Sequence, residues 1–297
     1  MKILKRFSLN KIPDKIKSLI KNEKKLPIRI LLVSLMAILI IFNLLAASFL
    51  NLSTILDSQV LYFNFNNNSC NGGKGICDLS GNFNYGEVNG AYFNPEGGIF
   101  EDGAFEFNGN SEISVKDSKK LSPSTTKGDF SVSFWLRPDS FNFTGGNDTA
   151  ERNAIHFLSK YSTDGNNREW YFRIYNDTAY DNGPRGKRIS FYVFSHDEGL
   201  GAGSYFQDDL KEGEWIHIAG VVNKTHIMIY KNGVLRDSSF LSDYNIKLKK
   251  GHADLKIGRY SQEYPSFNGS IDELRIFNKA LAPSEVVALY NLRINPD

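Results

Sequence analysis

Two hydrophobic patterns divide the chain. Ile30 to Leu50, "ILLVSLMAILIIFNLLAASFL", has no charged residue, and only Ser34, Asn43 and Ser48 are clearly polar. At ~1.5 Å per residue such a helix reaches ~30 Å, the depth of a bilayer's hydrocarbon core. Residues 30–50 are therefore predicted to form a transmembrane helix. Beyond them, short runs of β-branched and aromatic residues alternate with clusters of Gly, Asn, Asp and Ser, the pattern of an all-β sandwich or barrel. Strands are predicted at 60–65, 103–109, 111–116, 130–138, 154–160, 169–175, 188–195, 214–223, 225–230, 254–259 and 270–277. Within "THIMIYKNGVLRD", Asn232-Gly233 supplies the positive φ angles of a two-residue type I′ turn, which makes this segment a hairpin. One short helix is expected at the C-terminal side, where Pro283 opens a segment with Val286, Leu289, Tyr290 and Arg293 at helical spacing. The gaps at 139–153 and 176–187 are rich in Asn, Asp and Gly and read as rim loops. No linker or internal repeat divides residues 51–297, which are expected to form one domain.

Charge gives the apolar segment a direction. Residues 1–29 hold ten Lys or Arg against Asp14 and Glu23, a local net of +8 (10 − 2). The remainder of a chain whose total is +2 therefore carries −6 (2 − 8). Basic flanks stay in the cytoplasm. The expected organisation is a basic cytoplasmic segment (1–29), a single membrane pass (30–50) and an extracytoplasmic domain (51–297). A cleaved signal peptide is the alternative, with Ala46-Ala47-Ser48 offering small residues to a peptidase, although the apolar run exceeds the ~7–15 residues of a usual signal core. Asn-x-Ser/Thr triplets at Asn51, Asn67, Asn142, Asn147, Asn176, Asn223 and Asn268 all follow the span, in keeping with an exterior location.

Cys70 and Cys77 in "CNGGKGIC" are expected to form a disulfide outside the cytoplasm, closing a short loop worth ~2.5 kcal/mol by chain entropy; free thiols are the alternative. Zinc is not expected, because no second Cys pair or nearby His completes a tetrahedral set. An acidic outer domain without a Gly-rich phosphate loop argues against a nucleic-acid partner.

The ordered series "LYFNF", "DLSGNFNYGEVNGAYF", "GAFEFNGNSEISV", "DFSVSFWLRP", "FLSKY", "EWIHIAGVV", "IYKNGVL", "LKIGR" and "GSIDELRIFNKALAPSEV" resembles the LamG-like jelly-roll domains of the concanavalin A-like lectin/glucanase superfamily, over about Leu61 to Tyr290. The resemblance implies a two-sheet antiparallel jelly-roll sandwich that serves as a binding or adhesion module, with a glycan or a surface protein as partner. It also implies that His217 of "EWIHIA" packs with Trp215 inside the sandwich. In related jelly-rolls the Asp of an "IDELRI"-like strand, with loop carbonyls, often holds a structural Ca²⁺, which carries over to Asp272. Asp78 and Asn82 of "CDLSGN" are added on geometric grounds, since the first and last strands run close together. The alternative is that Asp272 caps loop amides, with Glu273 on the other face beside a cross-strand Lys or Arg.

Catalysis is not expected. Retaining glycosidases need two carboxyl groups ~5–5.5 Å apart, and the glucanase-like Glu-x-Asp-x-x-Glu arrangement is absent. Asp272 and Glu273 are consecutive, so strand pleating should send them to opposite faces. Glu212 and Glu214 fall in a turn. Candidate ligand-binding rings are Tyr180, Tyr205, Tyr260, Tyr264 and Phe267, each near the Asn and Asp side chains that a sugar site uses for hydrogen bonding; otherwise they cover the edge of the core. The expected function is a membrane-anchored, non-catalytic module for carbohydrate or protein binding. A glycoside hydrolase or lyase, or a purely structural envelope protein, are the alternatives.

Overall fold

The computed structural model describes residues 53–67, 70, 75–126, 128–143, 153–162, 167–180, 183–195, 198–259, 261 and 267–292, together with 33–36 and 38. The chain divides into two compact units, 1–53 and 54–297. In the first, 33–36 and 38 are helical with exposed side chains. The rest of the predicted span and the basic segment lie outside the described residues, among which no helix is long and apolar enough to cross a membrane.

The second unit is an antiparallel two-sheet sandwich. One sheet runs in the order β13 (Val234–Phe240), β12 (His226–Lys231), β11 (Ile216–Val222), β6 (Phe130–Pro138), β15 (Asn268–Phe277), β4 (Ala104–Asn108) and β3 (Tyr92–Asn94), with β1 (Gln59–Phe63) also paired to β15. The other runs β10 (Glu198–Phe206), β9 (Ile189–Ser195), β8 (Arg168–Tyr175), β7 (Ala154–Tyr161), β14 (Leu255–Ile257), β5 (Glu112–Val115) and β2 (Gly86–Asn89).

Period-two alternation aims one face of each strand inward. Phe130, Val132, Phe134 and Leu136 of β6 meet Trp170, Phe172 and Ile174 of β8 in one core, with Phe134 edge-on to Phe172 at 5.0 Å between ring centres. The hairpin turn is as predicted, with φ of 50° at Asn232 and 77° at Gly233. Cys70 and Cys77 are joined by a disulfide.

The C-terminal helix α1 (Pro283–Asn291) begins with Pro in its first turn, and the Glu285 carboxylate accepts the Ala282 amide at 2.8 Å. Its Val286 and Leu289 pack with Ala219, Val221 and Phe277 on the outer face of the eight-stranded sheet.

Strands β2, β3 and β10 were not expected from the sequence. In β10, "EGLGAGSYF", the glycines conceal the pattern, and neighbouring rings supply the reason for them. A Cβ on Gly201 would meet the Phe194 ring at 2.6 Å, and one on Gly203 would meet Tyr192 at 2.4 Å. Aromatic side chains of β9 lie flat in the space that these residues leave.

Leu289 fastens α1 to the sheet through apolar contact alone. Leu289→Ala is expected to lower unfolding free energy by ~2–4 kcal/mol, measured by urea denaturation.

Candidate functional site

The outer face of the seven-stranded sheet gathers rings and cations. Gly203, Tyr192, Tyr171, Ser159, Lys256, Ser114 and Glu87 are register neighbours, forming one row across all seven strands. Their chain neighbours Val193, Trp170, Leu255 and Val115 point into the core, so this row points out. Tyr171 sits 5.1 Å from Phe194, 5.4 Å from Tyr192 and 5.5 Å from Tyr161. His156 stacks on it at 4.0 Å.

Two guanidinium groups share this surface. Arg173 lies over Tyr175 at 4.6 Å and over Tyr192 at 5.1 Å, and Arg168 lies over Tyr161 at 5.5 Å, each within cation–π range. Burial, with the Arg173 charge beside it, holds the His156 pKa well below its ordinary value. His156 is therefore a neutral packing element at physiological pH. Tyr171 and Phe194 are buried, while Tyr161 and Tyr192 are half-exposed.

An open cavity of about 420 Å³ adjoins these rings, lined by Tyr161, Ser162, His252, Ala253, Asp254, Lys256 and Ser261. That volume suits a small ligand. Beside it, Glu112 takes a hydrogen bond from Lys256 Nζ at 3.0 Å and another from Arg259 Nε at 3.2 Å.

The outer face of the eight-stranded sheet carries carboxylates. Asp272 is fully buried; its Oδ2 accepts the Ile99 amide at 2.8 Å and its Oδ1 accepts the Glu273 amide at 2.7 Å. The expected separation of Asp272 and Glu273 by the pleat does not occur. A bulge interrupts the β15–β6 register between Asp272 and Arg275, and Glu273 takes a φ of 53° there. One extra residue resets the alternation. Glu273 consequently shares the outer face with Arg275 and Tyr62, accepting the Tyr62 hydroxyl at 2.9 Å and pairing with Arg275 on its own strand instead of a cross-strand cation.

Burial pushes the Asp272 pKa up to about 8, with the like charge of Glu273 adding to the effect while the two amides oppose it. Burial also raises that of Glu273, against the pull of Arg275. His217 bonds Ser133 Oγ through Nε2 at 2.8 Å, and the ring beside it at 5.2 Å is Trp135 of the adjoining strand. Trp215, expected in that place, is half-buried under the Arg137 guanidinium instead.

The residues expected to hold Ca²⁺ accept hydrogen bonds. Asp78 accepts the amides of Tyr62 and Ser80 at 3.0 Å through Oδ1, and that of Asn84 at 2.9 Å through Oδ2. Asn82 donates to Gln59 O at 3.1 Å and accepts from Lys120 Nζ. Among the described residues no group of three or more His, Cys, Asp or Glu side chains is arranged to hold a metal ion. Each of these side-chain oxygens accepts a hydrogen bond from an N–H group.

Of the predicted binding rings, Tyr180 is 72% exposed, and Tyr205 lies on β10 beneath the Arg188 guanidinium at 4.0 Å. Phe267 packs inside the core against Phe157 at 5.6 Å, where no ligand reaches it. Tyr260 and Tyr264 lie outside the described residues. Sequence reasoning passed over Tyr161, Tyr171, Tyr192, Phe194, Arg168 and Arg173. Their signal is aromatic residues on both faces of consecutive strands, in "EWYFRIY" and "RISFYVFS", more than one buried face requires.

The family model for the concanavalin A-like lectin/glucanases superfamily matches residues 107–287, more than half of the chain. The chain belongs to this superfamily. Solved structures similar to this lectin/glucanase-like sandwich include the binding domain of Paraclostridial Mosquitocidal Protein 1, with a TM-score of 0.61 and 19% identity over 81% of this chain and 53% of that one. The botulinum neurotoxin serotype D binding domain gives 0.59 and 18%, over 82% and 53%. The chain thus spans about half the length of these toxin domains. Domain 4 of AbnA, an extracellular arabinanase of Geobacillus stearothermophilus solved in complex with arabinotriose, gives 0.53 and 22%, over 78% of this chain and 98% of that domain. No curated protein sequence matches the chain.

The raised Asp272 pKa has a stability consequence. The unfolded carboxyl titrates near ~3.9, so the native state binds the proton more tightly. The resulting stabilisation is complete below ~4 and is lost as pH rises toward about 8. Chemical denaturation from pH 4 to 9 is expected to show unfolding free energy falling across that window, with much of the slope absent in Asp272→Asn. Millimolar Ca²⁺ is expected to leave the wild-type slope in place; its disappearance on adding Ca²⁺ would identify a metal at Asp272.

Proposed function

We propose that the chain is a membrane-anchored, surface-displayed module that binds a glycan, free or carried on a surface protein, without turning it over. The carrying observation is the ring-and-cation face of the seven-stranded sheet with its adjoining cavity. Half-exposed tyrosines provide the apolar surface on which a sugar ring stacks, and Asp254, Lys256 and Ser162 provide directional hydrogen bonding around it. Structures of the same fold support the reading: the AbnA domain was solved with arabinotriose, and a botulinum neurotoxin DC binding domain was solved with SialylT.

A non-catalytic role is supported by the two adjacent carboxyl groups. Asp272 is committed to backbone amides, and Glu273 to Tyr62 and Arg275. Anchoring is supported by the charge-free segment 30–50 behind its +8 leader. With that orientation, protease added to intact cells is expected to remove the bulk of the chain while sparing residues 1–29.

Binding is tested with the full chain in detergent micelles, screened on a glycan array and followed by calorimetry on any hit. Tyr161→Ala and Tyr192→Ala are each expected to weaken binding ~10-fold, the equivalent of one lost stacking contact of ~1.4 kcal/mol. A silent array, or affinity indifferent to both substitutions, would remove the basis for this site.

A further inference from the structure

The two ends of the sandwich differ in charge. Gln59 opens β1 beside Phe277, the last residue of β15. At that same end the Lys120 amine reaches Asn82, which itself bonds Gln59 O. The C-terminal ends of β9, β11 and β13 come together there too: Ser195 bridges Leu248, and one cavity is lined by Gly128, Asn223, Lys224, Leu241 and Leu248.

The loops at this end expose Lys119, Lys120, Lys224, Lys247 and Lys249. Its acids are mostly engaged locally. Asp117 pairs with buried Lys160 at 2.6 Å and with Lys250 at 2.9 Å, and Asp254 pairs with Lys116 at 3.1 Å. Among the described residues the exposed acids there are Asp57, Glu87, which lies near Lys116, and Asp243. The opposite end exposes Asp139, Asp177, Asp209, Glu212 and Glu214.

Large rings stand among the lysines. Phe83 is 72% exposed, Phe240 52%, Tyr244 46% and Tyr85 39%. Phe83 sits at a φ of 61° in the loop that bonds the start of β1. Exposed aromatic side chains interleaved with lysines match the interfacial zone of a bilayer, where rings settle at the headgroup level and amines meet lipid phosphates.

We infer that this basic, ring-studded end of the sandwich rests on the anionic headgroups of the membrane in which the chain is anchored. The inference rests on the anchoring proposed above. Eight residues, 51–58, separate the apolar segment from Gln59. Even fully extended, eight residues reach no more than ~28 Å. Resting there would hold the acidic end clear of lipid, in one orientation rather than many.

Amine footprinting of the full chain in nanodiscs tests the inference. Discs of phosphatidylcholine alone are compared with discs that also contain phosphatidylserine, with each lysine read by mass spectrometry. Lys119, Lys120, Lys224, Lys247 and Lys249 are expected to become severalfold less reactive in the anionic discs and to recover at high salt, while exposed Lys211 at the opposite end does not change. Equal reactivity in both lipids would overturn the inference. Failure of the chain to enter discs of either composition would refute the anchor instead. The same footprint on added anionic vesicles then decides the lysine surface on its own, protection supporting it and equal reactivity overturning it.

Discussion

Aromatic packing between the two sheets is the constraint on which the molecule depends. Phe130, Phe134, Phe157, Trp170, Phe172 and Phe191 are all fully buried. Phe172 stacks face-on with Phe191 at 4.5 Å and edge-on with Phe134 at 5.0 Å. Rings of this size fix the gap between the layers, and each contributes ~1.5–3 kcal/mol on burial. Gly220 of β11 lies where a Cβ would meet Phe172 and Phe191 at 2.5 and 2.6 Å, so the opposing sheet is shaped around the rings. Everything on the outer faces is then positioned by strands whose inner faces cannot move.

Those outer faces are put to different uses. On the eight-stranded sheet, α1 and its apolar residues cover one region, while Asp272, Glu273, Arg275, Tyr62, Ser133 and His217 form polar contacts beside it. Burial disfavours charge throughout this second region. It raises the pKa of both carboxyl groups and lowers that of His217 to about 3, leaving a neutral imidazole under the helix. On the seven-stranded sheet the polar partners are guanidinium groups lying over tyrosine rings. One face presents rings beside cations, and the other buries its acids against backbone amides, a tyrosine hydroxyl and an arginine.

The architecture was legible in the sequence because most strands alternate cleanly and the Asn232-Gly233 turn is unambiguous. Strand β6 falls at the expected residues, and α1 begins at Pro283 as expected. Four features escaped for physical reasons. Strand β10 carries too few side chains to show a period, since its glycines make room for rings supplied by β9. The bulge at Glu273 cannot be read from "SIDELRIF", because an extra residue in one strand is defined only against its partner β6. The burial of Phe267 and the outward rings of β8 and β9 escaped too, because a ring beside a loop reads as a rim residue and the rings within strands read as ordinary strand residues. The partner of His217 was misassigned likewise: the ring beside it comes from a strand that is adjacent in space and remote in sequence.

Gly201 and Gly203 show how a surface can be specified by what is missing. The Phe194 and Tyr192 rings lie down only because nothing projects beneath them, and even the smallest other side chain would tilt them upright and roughen the terrain. The topography therefore depends on two positions that lend it no atoms. A paralogue that retained every tyrosine and arginine but exchanged these glycines would keep the chemical inventory of the face and lose its flatness, so divergence in selectivity can begin at residues that an inspection of contacts would pass over.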